Sequence, residues 1–218
     1  MSRARPAVEV LSDRLLNVFP ALDADDQRLS LALYRRLAEG SPVALSALAV
    51  ELAMAGEEVE RRLAAWPEVY YDGERRVIGY WGLTIRPMTH RLRVDGRELF
   101  AWCAWDTLFL PALLGRTAEV SSVCRGSGDP VRLSVSPREV ESAEPEGIAV
   151  SFLVPDADAV RADVIASFCH YVHFFASADA AQPWLAQHPA AFLLSLDEAY
   201  EVGRLRTRAR YPATLARH

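Results

Sequence analysis

Apolar residues at four-residue spacing characterise the first part of the chain. Leu29, Leu33 and Leu37 recur in this way. Asp25 offers a cap before them and Gly40 a stop after them. The pattern therefore predicts an amphipathic helix that buries its leucine stripe.

Two shorter helices and a hairpin are predicted after this helix. Residues 46–54 and 57–65 carry helical apolar spacing, and a turn separates them. Residues 69–71 and 76–80 are strand-like and flank an Asp-Gly pair, which is typical of a tight turn. The order helix, helix, turn, helix and hairpin predicts a winged-helix module.

The second part of the chain alternates short apolar runs with turn residues. This pattern is typical of an antiparallel or mixed sheet. We therefore predict an α+β fold, with a winged-helix-like module over residues 1–88 and a sheet domain with flanking helices over residues 89–218. The predicted strands are residues 92–94, 97–101, 118–124, 131–135 and 148–154.

Helices are also expected within and after this sheet. Residues 106–114 form an apolar run that Gly115 ends, but Pro111 inside it predicts a break or a bend. A strand is predicted around Cys169. The last two predicted helices cover residues 179–187 and 197–208.

Charge argues against a nucleic-acid partner. The net charge is −5, and all 24 basic residues are arginines. Residues 1–90 hold 11 arginines against 13 acidic residues, and the third helix of the winged-helix module begins with acidic residues at 57, 58 and 60. Phosphate groups would meet negative charge there, so no DNA partner is expected. Arg75 and Arg76 at the wing keep DNA binding open as an alternative.

No targeting or membrane segment is expected. Charged residues interrupt the N-terminal apolar residues, and no later stretch approaches the length of a membrane span. A cytoplasmic location without a membrane partner fits best. Three cysteines in such a setting indicate free thiols rather than a disulfide framework.

Cys103 and Asp106 form the sharpest local pair. A spacing of three residues on a helical turn places both side chains on one face, where a carboxyl group can exchange a proton with a thiol. Backbone N–H groups at the start of a helix favour a thiolate at Cys103, while an ionised Asp106 opposes it. A buried cysteine between Trp102 and Trp105, beside a helix-capping aspartate, is the alternative.

Cys169 lies in an aromatic stretch, residues 167–175, that is consistent with a buried strand. Cysteine followed by His170 and His173 is also a spacing seen in metal sites. Strand alternation places Cys169 and His170 on opposite faces, and a closed zinc site needs a fourth ligand. Both histidines are therefore interpreted as ordinary core or surface residues, with zinc as the alternative.

Two stretches carry a resemblance to a known family. Residues 99–122, which contain the Trp-Cys-Ala-Trp-Asp sequence, and residues 167–177, which contain Ser-Phe-Cys-His-Tyr-Val-His-Phe-Phe, resemble organomercurial lyase (alkylmercury lyase). The likeness continues through residues 131–137 and 144–151, covers most of residues 75–200, and extends more loosely into the N-terminal part.

The resemblance implies an active site made of Cys103, Asp106 and Cys169. These residues would also bind the mercury of substrate and product, and no cofactor is expected. The implied reaction is protonolysis of a carbon–mercury bond, which gives a hydrocarbon and Hg(II) in mercury detoxification. The implied partners are the organomercurial substrate, small cytosolic thiols and a mercuric reductase that accepts Hg(II).

One position departs from the family pattern. Many relatives have a second cysteine where this chain has His170, which puts an accessory thiol in doubt. Cys124 matches a cysteine that the family uses structurally. Two other classes of function remain as alternatives: a winged-helix transcriptional regulator that senses a soft metal, and a non-catalytic soft-metal-binding protein.

Overall fold

A computed structural model describes residues 6–215 of the chain. Its N-terminal module contains the three predicted helices and one that sequence patterns missed. The four helices are α1 (Val8–Val18), α2 (Ala24–Leu37), α3 (Leu45–Leu52) and α4 (Gly56–Ala65).

The start of α2 differs in detail from the prediction. Asp23, rather than Asp25, caps the helix, because Asp23 has an extended backbone and its carboxylate accepts the Asp26 N–H at 2.7 Å. The Asp26 carboxylate accepts the Asp23 N–H in return, which completes a capping box. Asp25 already lies within the first helical turn.

The predicted wing hairpin is confirmed, and its strands continue into the main sheet. β1 (Val69–Tyr71) pairs with β2 (Val77–Tyr80), and β2 pairs with β3 (Leu83–Thr84). β3 in turn pairs with β5 (Arg97–Ala101). Hydrogen bonds between strands therefore cross the predicted boundary at residue 88, and the wing is one edge of the larger sheet.

The described residues form an eight-stranded sheet and a three-stranded sheet, and all strand pairs in them are antiparallel. The larger sheet has the order β1-β2-β3-β5-β4-β6-β7-β8, and the smaller one has the order β10-β9-β11. The strands not yet named are β4 (His90–Val94), β6 (Ala118–Val123), β7 (Pro130–Val135), β8 (Val140–Glu144), β9 (Ala149–Phe152), β10 (Phe174–Phe175) and β11 (Phe192–Ser195).

Five further helices accompany the sheets in the described part of the chain. Of these, α5 begins at Asp106 and continues through Pro111 without the predicted break, then ends at Gly115, whose φ is +65°. Eight of its nine residues are buried, so packing offsets the loss of one backbone donor at Pro111. The five are α5 (Asp106–Leu114), α6 (Ala157–Ala162), α7 (Val164–Ser167), α8 (Ala178–Gln187) and α9 (Leu196–Arg210).

The strand prediction around Cys169 is wrong. Residues Cys169–Tyr171 form a 3₁₀ turn directly after α7, and only Phe174–Phe175 are a strand. The Asp163 side chain accepts the Ala166 N–H at 2.9 Å and caps α7, and the chain continues from α7 through Phe168 into the 3₁₀ turn, where the aromatic pattern suggested extended chain. The turn buries Cys169 and leaves His170 exposed.

The last helix joins the two parts of the molecule. α9 packs against α1 and α5, and the chain after it reaches α2. There the Ser30 hydroxyl lies 3.0 Å from the Tyr80 hydroxyl and 2.7 Å from the Tyr211 hydroxyl. All three groups are buried, so one polar cluster links α2, β2 and the C-terminal segment. None of the described helices has the length and hydrophobicity needed to cross a membrane.

We expect Ser30→Ala to lower the free energy of unfolding by about 1–3 kcal/mol, because two buried tyrosine hydroxyls lose a partner. Chemical denaturation followed by circular dichroism measures the change. The exposed Ser46→Ala, in α3, is the matched control and should stay within about 0.5 kcal/mol of wild type. Equal stability of the two variants would contradict the role of the cluster.

Candidate active site

The three residues named by the sequence come together in one buried cluster. Cys103 lies in the bend between β5 and α5, Asp106 is the first residue of α5, and Cys169 opens the 3₁₀ turn. One ligand atom from each lies within 4.8 Å of the others. The residues are only 1, 5 and 6 % exposed, respectively. Two thiols and a carboxyl group therefore share one site with little water.

Asp106 is positioned by backbone contacts. Its Oδ2 accepts the N–H of Cys103 at 2.8 Å, which orients the carboxyl group toward the preceding bend. Gly82, between β2 and β3, lies on the other side with a φ of +91°. A Cβ at Gly82 would lie 2.7 Å from the Asp106 Cγ, so only glycine leaves room for this carboxyl group.

Sequence reasoning missed Gly82. Two signals were available: the residue follows a Trp in a tight connection between short strands, and a glycine in such a turn often takes a positive φ. Gly82 and Asp106 are 24 positions apart in the sequence, so no local pattern shows that they lie in contact.

Burial controls the protonation of the cluster. It raises the pKa of the Cys103 thiol well above its usual range, and the nearby Cys169 and Asp106 raise it further. These effects therefore outweigh the backbone N–H groups at the start of α5, which were expected to favour a thiolate at Cys103. The Cys103 contact lowers the pKa of Cys169, but burial and the negative charge of Asp106 leave it raised. Both thiols are protonated in the resting site.

Asp106 titrates closer to neutrality than an ordinary carboxyl group. Burial raises its pKa to about 6, although hydrogen bonds from Cys103 and the charge of Arg206 act in the opposite direction. A carboxyl group with this pKa exchanges protons readily near pH 7.

A narrow cleft leads to the cluster. Cys169 and Asp106 line it, while Cys103 lies behind them. A molecule in the cleft would therefore contact Cys169 and Asp106 rather than Cys103. Gly82, Val164, Glu68 and Arg206 also line the cleft, and its aromatic side chains are Phe19, Trp81, Trp102, Trp105, Phe109 and Phe168.

Arg206 is a second site residue that sequence reasoning missed. It is only 3 % exposed, and its guanidinium carbon lies 4.7 Å from the centre of the Phe19 ring and 5.3 Å from that of Phe109. Burial, and then the like charge of Arg210, lower its pKa to about 10, so it stays charged at neutral pH. In the sequence, Arg206 is one of several arginines in a C-terminal helix, and nothing local distinguishes it.

The histidines of the alternative zinc site do not join the cluster. His170 is exposed, and among the described residues the group of potential metal ligands is Cys103, Asp106 and Cys169. His170 and His173 instead line a groove on the other side of Cys169. Burial, and then the charge of Arg125, lower the pKa of His173 to about 4.

Cys124 lies apart from the cluster, at the end of β6. Its sulfur accepts the Ser127 N–H at 3.4 Å and the Ala176 N–H at 3.2 Å. Burial raises its pKa, but these hydrogen bonds outweigh burial and leave the pKa below the usual value. The contacts join the turn after β6 to the end of β10, as a packing role requires.

The fold and the site together define a class of protein. A winged-helix module shares its sheet with an antiparallel domain, and that domain buries two soft thiol ligands beside a proton donor. Such a set of groups is suited to a soft metal ion that carries a group to be protonated.

Comparison with known proteins gives the family. The sequence model of the family "Alkylmercury lyase" matches residues 83–207, and that of the "Helix-turn-helix domain of alkylmercury lyase" matches residues 8–81. The chain therefore belongs to the alkylmercury lyase family.

Individual relatives agree with this assignment. An alkylmercury lyase of Staphylococcus epidermidis is 48 % identical over 172 residues, which cover 79 % of this chain and 78 % of the relative. An alkylmercury lyase of Streptomyces lividans is 42 % identical over 201 residues, which cover 91 % of this chain and 92 % of the relative. The crystal structure of the mercury-bound form of MerB2 has the same fold, with a TM-score of 0.71 at 23 % identity over 93 % of this chain and 98 % of that one.

We expect Asp106→Asn to change the pH dependence of stability. The folded-state pKa of about 6 exceeds the reference value of 3.8, so the stabilising contribution of Asp106 is complete below pH 3.8 and is lost as pH rises through 6. The free energy of unfolding of wild type should therefore fall relative to the variant by up to about 3 kcal/mol between pH 4 and pH 7. Urea denaturation of both proteins across this pH range measures the difference in their free energies of unfolding.

The exposed Asp179→Asn, in the first turn of α8, is the control for loss of one negative charge. Its pH profile of stability should run parallel to that of wild type. A profile for Asp106→Asn that also ran parallel to wild type would contradict the raised pKa.

Proposed function

We propose that Cys103, Asp106 and Cys169 cleave the carbon–mercury bond of organomercury compounds by protonolysis. As a member of the alkylmercury lyase family, the protein is an organomercurial lyase, and its products are a hydrocarbon and Hg(II). The observation that carries the assignment of roles is the buried cluster itself, in which two thiols and one carboxyl group lie within 4.8 Å.

Cys169 is the first thiol to bind mercury. It lines the entrance cleft, whereas Cys103 lies deeper. The Cys169 thiol loses its proton as its sulfur bonds to mercury, because a soft thiolate is a preferred ligand for a soft metal ion. The organic group remains on mercury and occupies the cleft.

Cys103 is the second thiol, and Asp106 takes its proton. The contact between Asp106 and Cys103 holds the carboxylate beside this residue. Transfer of the thiol proton to Asp106 frees a second thiolate, which binds the same mercury atom. A second sulfur raises the electron density on the metal and weakens its bond to carbon.

Asp106 then gives its proton to the leaving carbon. The electron pair of the carbon–mercury bond takes up this proton, the hydrocarbon departs, and Hg(II) stays bound to two thiolates. In sum, one organomercury cation and two thiols give one hydrocarbon, one dithiolate-bound Hg(II) and one proton. A pKa of about 6 suits a group that accepts and donates a proton in the same cycle.

The chain supplies every group this reaction needs. Two sulfurs bind the metal and one carboxyl group moves the proton, so the proposal includes no organic cofactor and no resident metal. Mercury enters as substrate and leaves as product. We propose further that small thiols of a reducing cytoplasm, with a mercuric reductase as acceptor, remove Hg(II) from the two sulfurs by ligand exchange.

The N-terminal module is not suited to DNA. Most of its described arginines, including those of the third helix of the winged-helix module and the wing, form salt bridges with acidic side chains, so little free positive charge faces a phosphate backbone there. Asp106 also distinguishes the enzyme from a simple metal carrier, because binding of Hg(II) by thiolates needs no proton donor. The pairs on this surface are Arg61–Glu58, Arg62–Glu58, Arg62–Asp26, Arg75–Glu60 and Arg76–Asp72.

We expect Cys103→Ser and Cys169→Ser each to lower release of benzene from phenylmercury by at least about 10²-fold, because an alcohol is a poor ligand for mercury. Headspace gas chromatography with excess thiol measures the product. Cys124→Ser is the control: it removes a thiol outside the cluster and should affect stability more than turnover. Near-normal release of benzene by either cluster variant would contradict the two-thiol mechanism.

We expect Asp106→Asn to separate binding from cleavage. The amide keeps the size of the side chain and an acceptor for the Cys103 N–H, but it has no proton to give. Mercurial binding, followed by tryptophan fluorescence, should persist while single-turnover release of benzene falls by about 10²- to 10⁴-fold. Full turnover by this variant would remove Asp106 from the proton path.

A further inference from the structure

We propose that Arg206 binds an anionic substituent on the organic group of the substrate, so that the protein prefers aryl mercurials that carry a carboxylate. The inference rests on the proposed cleavage at Cys103, Asp106 and Cys169, and it assigns the specificity of that same site. The observation behind it is a buried guanidinium group that lines the entrance cleft together with Cys169 and Asp106.

The guanidinium group of Arg206 has no acidic partner in the part of the chain that the structure describes. No carboxylate oxygen there lies within 4.0 Å of it, and its buried Nε has no hydrogen-bond partner. A buried charge that lacks a partner is strongly unfavourable, and proteins usually pair such groups. An anion in the cleft would supply the missing partner.

Aromatic rings hold this cation without using its hydrogen-bond donors. The guanidinium carbon lies within 6 Å of the ring centres of Phe19, Phe109, Trp105 and Trp81. Ring faces attract the positive charge, whereas the N–H groups of a guanidinium lie in its own plane. These donors match the two oxygens of a carboxylate, the pairing in which arginine is most selective.

A second buried arginine strengthens the local positive charge. Arg210, one helical turn further along α9, lies with its guanidinium carbon 4.2 Å from the centre of a Trp81 ring. Its Nη1 donates to the Pro20 carbonyl oxygen at 2.8 Å, while its Nε and Nη2 have no partner among the described residues. Two like charges in one buried region attract an anion more strongly than one does.

The acidic groups of the cleft do not neutralise Arg206. Glu68 is occupied elsewhere, since its carboxylate accepts the Tyr70 hydroxyl at 2.6 Å and the Val164 N–H at 3.3 Å. Asp106 is bonded to the Cys103 N–H and forms no salt bridge with Arg206, although its negative charge attracts the guanidinium group. The positive charges of Arg206 and Arg210 together exceed the one negative charge of Asp106, so an excess positive charge remains for a ligand.

The rest of the lining selects the shape of the organic group. Six aromatic side chains surround the space between Cys169 and Arg206, and flat aryl groups stack favourably on such walls. An aryl mercurial with a carboxylate thus places mercury at the thiols and its charge toward Arg206. Neutral alkyl and aryl mercurials bind the thiols through mercury but make no contact with Arg206 through a charge.

Substrate pairs of equal size test the proposal. We compare kcat/KM for 4-(hydroxymercuri)benzoate with that for p-tolylmercury, which replaces the carboxylate with a methyl group. Wild type should favour the carboxylate by roughly 10- to 100-fold, the range for a hydrogen bond to a charged group. Arg206→Gln should lower the ratio of the two kcat/KM values to about one, whatever its effect on the cleavage step that both substrates share, while Arg206→Lys should restore part of the preference.

Arg208→Gln is the matched control, because Arg208 lies on the same helix and is exposed. It should keep the wild-type preference. Equal losses for both substrates in Arg206→Gln would show that Arg206 acts through the fold or through Asp106, and would overturn the proposal. An unchanged preference in Arg206→Gln would also overturn it.

A binding measurement on wild type does not depend on turnover or on the folding of a variant. Benzoate and benzamide, which lack mercury, are titrated against tryptophan fluorescence, and benzoate should bind at least about tenfold more tightly. Equal binding, or no binding of benzoate, would overturn the role of Arg206 even if mercurials are cleaved. Preferential binding of benzoate without any cleavage would instead contradict the proposed function and leave the anion site standing.

Discussion

The enclosure of the Asp106 carboxyl group in an apolar site is the constraint on which the rest of the structure depends. Burial raises its pKa to about 6, and the N–H of Cys103 fixes its orientation. Both effects need a gap beside the carboxyl group, and Gly82 provides it by having no side chain. With the reference pKa of 3.8, the same group in water would be protonated at neutral pH on the order of 10²-fold less often.

The C-terminal helix α9 is as important to the site as the bend that carries Cys103. It packs on α1 and α5, and it places the charged Arg206 among the aromatic walls of the cleft. The positive charge lowers the pKa of Asp106 while burial raises it, so a pKa of about 6 reflects a balance of the two effects. An element distant in sequence therefore contributes both to the pKa of Asp106 and to the electrostatic character of the cleft.

Local patterns predicted three of the four helices of the N-terminal module, the wing hairpin and five strands of the sheets, because these elements follow from hydrophobic periodicity and turn residues. They failed at Cys169, where aromatic residues suggested a strand and the chain instead forms a 3₁₀ turn that follows α7. The failure matters for the site, since the 3₁₀ turn buries Cys169 and exposes His170. Phe168 and Cys169 are both buried at this turn, and β propensity along the chain does not register such tertiary packing.

The sequence by itself determined the pairing of Cys103 with Asp106, because three residues of separation at the start of a helix bring two side chains together. Resemblance to a family added Cys169. Only the tertiary structure decided that Cys169 reaches the same cluster, that Gly82 makes room for the carboxyl group, and that Arg206 faces the cleft. These relations, and the pKa shifts that follow from them, depend on burial and on contacts between distant segments, which spacing along the chain does not encode locally.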